Sequence, residues 1–184
     1  MPTPQPFRPH GGAYKILIAY QKAECVYDVT FYFAHHYLEK GDRTIDQMVQ
    51  AARSGKQNIA EGAAAGNTSK ETEIKLTNVA KASLQELLVD YEDFLRVRGL
   101  EQWQPDDARL AQTKRACAAH NDSEYYRKAM PERSAETIAN IAITLIHQTD
   151  WLLNKLIEKL EIQFVENGGV KEQMTKARKE YRGY

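Results

Sequence analysis

The sequence predicts an all-α protein: an antiparallel up-down four-helix bundle with an extra short helix before its last bundle helix and a C-terminal helical tail. Three observations carry that expectation. Apolar residues recur at helical spacing almost everywhere, no segment alternates with period two for long, and cap and stop residues cut the pattern into four long segments. Long amphipathic helices joined by short or moderate links favour an antiparallel bundle. The bundle spans 13–166 with an insertion at 100–133. Residues 1–12, rich in Pro and Gly, form a lead expected to be disordered, and 167–184 form a basic suffix tail.

The first helix is expected from Tyr14 to Glu39, stopping at Gly41. Tyr20, Ala23, Val26, Tyr27, Phe31, Ala34 and Leu38 share one face, and Ile18, Cys25, Val29, Tyr32 and Phe33 widen the apolar surface beyond a stripe. A helix that apolar is covered on more than one side. The second is expected from Thr44 to Glu61 with Asp42 as N-cap and Gly62 behind it. Its small residues Ala51, Ser54, Gly55 and Ala60 imply close approach of a neighbouring backbone, since Gly in a helix interior costs roughly 1 kcal/mol relative to Ala.

Thr68 and Glu71 have capping-box spacing and open the third helix, which runs to about Arg98 and stops at Gly99. Leu76, Ala80, Ser83, Leu84, Leu87, Tyr91, Phe94 and Leu95 form its inner face. The insertion holds a shorter helix at roughly Asp107 to Ala119, ended by His120-Asn121-Asp122-Ser123. The last long helix runs from about Ser134 to Val165 with a near-heptad apolar seam, and Gly168-Gly169 ends it. In the tail five cations, Lys171, Lys176, Arg178, Lys179 and Arg182, face two anions, Glu172 and Glu180, leaving +3.

Composition narrows the function classes. Lys+Arg equals Asp+Glu at 25 each, so no global field recruits nucleic acid or an anionic membrane. No apolar run approaches the ~20 residues of a membrane span, and the N-terminal stretch lacks the apolar core of a signal peptide. Cys25 and Cys117 lie in helical patterns without partner spacing and read as free thiols in a reducing cytoplasm.

The stretches RTIDQMVQAARSGKQNIAEG and TSKETEIKLTNVAKASLQELLVDYEDFL resemble the bacterial four-helix-bundle family first known from proteins encoded in intervening sequences of large-subunit ribosomal RNA genes. The carrying residues are Asn58-Ile59-Ala60-Glu61-Gly62, the Ser69/Glu71 start, and Ala82-Ser83-Leu84-Gln85-Glu86. The family more often has Gly at the position of Ala82, and a basic residue where this turn reads Ala-Ala-Ala-Gly. Ala19-Tyr20-Gln21-Lys22-Ala23-Glu24 and the long C-terminal stretch from Leu145 look like the members with a suffix after the bundle. The resemblance implies a homo-oligomer. A distant relative, the accessory variability determinant of diversity-generating retroelements, is a basic pentamer that binds nucleic acid and a reverse transcriptase. That relationship implies a pentamer, but its basic surface does not carry over to a neutral chain.

Four constellations bear on chemistry. Asn58 and Glu61 share a helix face, either as a polar link between the second and third helices or as part of a ligand or metal pocket. The first reading is favoured, with Glu61 satisfied by turn amides, by the start of the third helix, or by Arg53 or Lys56. Gly62, Thr68, Glu71, Ser83 and Glu86 complete that motif. A metal site is not expected: His35-His36 has Tyr32 and Phe33 where a di-metal bundle needs Glu, and His147 with Asp150 lacks a second pair. No nucleophile elbow, phosphate loop or Cys/His arrangement points to an enzyme, and no cofactor is implied.

Nucleic-acid contact would rest on Arg43, Arg53, Lys56 and Lys70, and on Lys176, Arg178, Lys179 and Arg182. Tyr125-Tyr126-Arg127-Lys128 with Arg133 adds an aromatic-basic run. The expected function is a non-enzymatic, self-associating interaction or scaffold module. The alternative is a nucleic-acid-associated accessory protein that binds structured RNA or DNA with a protein partner such as a reverse transcriptase.

Overall fold

The computed structural model describes residues 14–182, and the expectation for residues 1–12 lies outside them. A single 3-10 turn, Tyr14–Ile16, precedes α1 (Ile18–Tyr37), α2 (Arg43–Ala65) and α3 (Lys70–Val97). The insertion carries α4 (Ala108–Ala119) and α5 (Ser123–Ala129), then a second 3-10 turn, Met130–Glu132. The long α6 (Ala135–Asn167) and α7 (Val170–Arg182) complete the chain. The described residues form no strand. They include two short helices before the last long one where the sequence implied one. The second arises because Asp122 accepts the Tyr125 amide at 2.9 Å, so the expected stop at 120–123 is also a helix start.

The long helices contact one another in a ring: α1 packs on α2 and α6, and α3 packs on α2 and α6. The ring closes over Ala23, Val26, Val29 and Phe33 of α1, Met48 and Ile59 of α2, Leu84, Leu87 and Tyr91 of α3, and Ile138, Leu145, Ile146 and Leu153 of α6. Across its middle, the buried Tyr91 hydroxyl donates to Thr30 Oγ1 at 3.0 Å. Phe33 meets Tyr91 and Phe94 at centroid distances of 5.0 and 4.7 Å, in the tilted and edge geometries aromatic pairs prefer.

The apolar breadth of α1 has its explanation here. Besides α2 and α6, α1 also contacts α5, so the insertion covers a side of α1 that the sequence left for another subunit. Tyr126 and Met130 join the core, and the Arg127 guanidinium sits 3.8 Å from the Asp28 carboxylate.

Helix ends follow local chemistry. Asp42 accepts the Thr44 amide, Asp107 the Arg109 amide and Ser134 the Thr137 amide. Gly99, at φ +62°, ends α3: its amide reaches Arg96 O at 3.2 Å, and the Leu100 amide reaches Leu95 O at 2.9 Å. These paired bonds satisfy carbonyls that a helix end otherwise leaves open, and the positive φ suits glycine.

Candidate ligand cleft

The predicted motif around Asn58 and Glu61 is assembled differently from expectation. Helix α2 does not stop at Glu61 but continues to Ala65, and Gly62 lies buried within it. A Cβ on Gly62 would lie 3.3 Å from Glu73 O, so this glycine serves a close crossing of α2 and α3 rather than a turn. Glu61 is exposed and has no hydrogen bond or ion pair among the described residues, because its neighbour Gly62 takes the face of α2 that is turned to α3. The polar link runs through hydroxyls instead. Asn58 Nδ2 donates to Ser54 O and Oγ at 2.9 and 3.2 Å, Ser54 and Ser83 hydroxyls meet at 2.9 Å, and Ser83 donates to Val79 O at 3.1 Å.

The capping box is corrected as well. Thr68 Oγ1 donates to Ala65 O at 2.9 Å and so finishes α2, while Ser69 Oγ accepts the Thr72 amide at 3.1 Å and starts α3. With the cap shifted by one residue, Glu71 no longer sits opposite it and is exposed, as is Glu86. The buried acid of this junction is Glu73, 9% exposed and paired with Lys70 at 2.6 Å.

The basic residues do not gather into one field. Arg43 and Arg53 are exposed, Lys56 lies 4.4 Å over the Tyr27 ring, and Lys70 is paired. Lys176 shares a groove of about 870 Å³ with Lys70, but Glu73, Glu166 and Glu180 line it too. The aromatic-basic run turns inward: Tyr125 stacks on His120 at 3.6 Å, Tyr126 is buried, and Lys128 pairs with Glu124 at 2.7 Å.

His35 and His36 are exposed, their Nδ1 atoms beside Phe31 O and Tyr32 O. Asp150 accepts from Gln85 and Asn154 rather than facing His147. Among the described residues no three His, Cys, Asp or Glu side chains gather as a metal site would require, and no helix is long and apolar enough to cross a membrane.

A different cluster emerges where α1, α4 and α6 meet the loop 100–107. Lys22 of α1 is 2% exposed, and its ammonium donates to Cys117 O and to His120 O, the latter at 3.1 Å. Both carbonyls belong to the end of α4, where orphan acceptors and the negative end of the helix dipole stabilise a cation. Burial lowers the Lys22 pKa below the usual ammonium range. Burial also pushes the Cys25 thiol up to about 12 and raises that of Cys117. Tyr126 donates to His120 O at 2.9 Å, closing the cluster.

Above this cluster lies a cleft of about 700 Å³, within the range of small-molecule sites. Asn140 builds one wall. Its Oδ1 accepts the Trp103 amide at 2.9 Å, and its Nδ2 donates to Glu101 O and Glu136 O, pinning the loop to α6. Leu110 and Lys114 of α4, Asn121 just after it, and Ile143, Thr144, His147, Gln148, Trp151 and Leu152 of α6 also line it. The sequence reading missed Lys22, Trp103, Asn140 and Gln148 as a group. One signal was visible: Lys22 interrupts the apolar stripe of Ala19, Ala23 and Val26, as does Asn140 between Ile138 and Ile141.

Comparison with known families, with characterised proteins and with solved structures gives no match to this chain.

Proposed function

We propose that the protein is a non-enzymatic, self-associating helical interaction module, with α1, α2, α3 and α6 arranged as an antiparallel up-down four-helix bundle. The cytoplasm is its proposed setting, and the intervening-sequence family its proposed kin. The observation that carries this reading is apolar surface left uncovered where the chain extends past the ring. Ile162 and Val165, one turn apart on α6, are 57% and 82% exposed. Helix α7 follows with Val170, Met174, Ala177 and Tyr181 on one stripe and no buried residue. Helices with such faces ordinarily lie against a partner, and a second copy is the simplest one. Buried, protonated thiols at Cys25 and Cys117 are poor nucleophiles, which supports a role without catalysis.

Light scattering tests the reading. The expected mass is a multiple of 21.0 kDa, five-fold if the distant kinship holds, and Ile162→Asp with Val165→Asp returns it to one chain while helicity stays. A single-chain mass throughout the micromolar range overturns it.

One observation favours the nucleic-acid reading as second. Lys176, Arg178, Lys179 and Arg182 of α7 are exposed and enter no ion pair among the described residues. A mobility shift of structured RNA or DNA at low salt that disappears when all four become Gln supports it, and no shift at low salt ends it.

A further inference from the structure

The cleft over Lys22 carries chemistry that self-association does not use. Three of its lining side chains hold a buried polar atom without a protein partner among the described residues: Trp103 Nε1, Asn121 Oδ1 and Gln148 Oε1. Buried polar groups are nearly always paired, so these three orphan atoms, closed off from water within the cleft wall, mark side chains that gain a partner when a ligand shifts them. Among the described residues, those lining the cleft include the cations Lys22 and Lys114 and the His147 imidazole, but no carboxylate. That asymmetry selects against a cationic ligand and in favour of an anion. Leu110, Ile143 and Leu152 supply apolar wall, and Trp151, 60% exposed, stands at the rim as a stacking surface.

We propose that this cleft binds a small aromatic carboxylate that also carries one O–H or N–H donor. The carboxylate takes the Trp103 N–H and the field of Lys22 and Lys114. The donor goes to the amide oxygen of Asn121 or Gln148, and the ring lies on the apolar wall. The proposal stands on its own observations and does not depend on the oligomeric state.

The chain reports on its own occupancy. Its two tryptophans, Trp103 and Trp151, both line the cleft, so indole emission comes from there alone. The probe is 4-hydroxyphenylacetate titrated into the full chain. The expected result is a saturable emission change with a Kd below about 1 mM, and tyramine, with an amine in place of the carboxylate, binds at least about tenfold more weakly. Lys114→Gln, at an exposed position, weakens 4-hydroxyphenylacetate about threefold or more. Gln148→Leu or Asn121→Leu, checked for unchanged helicity, narrows the preference for 4-hydroxyphenylacetate over phenylacetate. No saturable change by fluorescence and no heat by calorimetry overturns the proposal. Tyramine binding as tightly as the acid, or affinity unchanged in all three variants, overturns it equally.

Discussion

The Lys22 ammonium donates to the His120 carbonyl at 3.1 Å, joining α1 to the end of α4 across 98 positions of sequence. Removing that cation leaves the α4 carbonyl of Cys117 without the ammonium it accepts from. Lys22→Met is therefore expected to cost about 1–3 kcal/mol at neutral pH by chemical denaturation. The pH dependence has a definite sign. Because burial lowers the folded-state pKa below 10.5, the unfolded chain binds more protons between that lowered value and 10.5. The Lys22 contribution to unfolding free energy thus rises with pH in that window, and the Met variant lacks the rise.

Asn140 offers a sharper test of the cleft wall. Asn140→Ala deprives the Trp103 amide of its acceptor and the loop 100–107 of its anchor to α6. The expected loss is about 1–3 kcal/mol, accompanied by increased quenching of tryptophan emission by acrylamide.

Gly55 faces Leu84 closely enough that any side chain must displace it. A Cβ there would lie 2.7 Å from Leu84 Cδ2. Gly55→Ala is expected to destabilise by about 1–3 kcal/mol despite the better helix propensity of Ala. Combined with Leu84→Ala, its cost falls below the sum of the single changes, a coupling that a double-mutant cycle reads directly.

The corrected junction between α2 and α3 separates three neighbouring residues. Ser69→Ala is expected to cost about 1 kcal/mol through loss of its N-cap bond. Glu61→Ala and Glu71→Ala, both exposed and without a partner among the described residues, are expected to stay within about 0.5 kcal/mol of the parent in thermal or denaturant unfolding.

The two thiols should behave as buried hydrophobes. In the folded protein at neutral pH a thiol reagent is expected to react at least about a hundredfold more slowly than in the denatured chain. The Cys25 pKa, raised from 9.0 to about 12, means the folded state keeps a proton that the unfolded state loses. Its contribution to stability is complete below 9.0 and is lost as pH rises towards 12, so Cys25→Ala flattens that part of the alkaline limb.

What was legible in the sequence was whatever local hydrogen bonding decides. Asp42 caps α2 where its side chain permits, α4 and α6 begin near the expected Asp107 and Ser134, and Gly99 stops α3 because positive φ suits it. The end of α2 was misread because Gly62 has the look of a stop signal, whereas its role is set by the Glu73 backbone across the crossing. A contact between helices leaves no local mark. The cleft was hidden for the same reason: Lys22, Trp103, Asn121 and Gln148 come from separate segments, and only Lys22 and Asn140 stand out within apolar stripes.

Helix α7 begins after Gly168, at φ +67°, runs for 13 residues and buries none of them. A helix of that length holds itself together only marginally in water. Its amides should therefore exchange with solvent through local fraying, whatever the stability of the ring, while those of α1 and α3 wait for global unfolding. The chain thus has two clocks, and a partner that slows the α7 clock alone reveals its docking site by mass spectrometry without being identified.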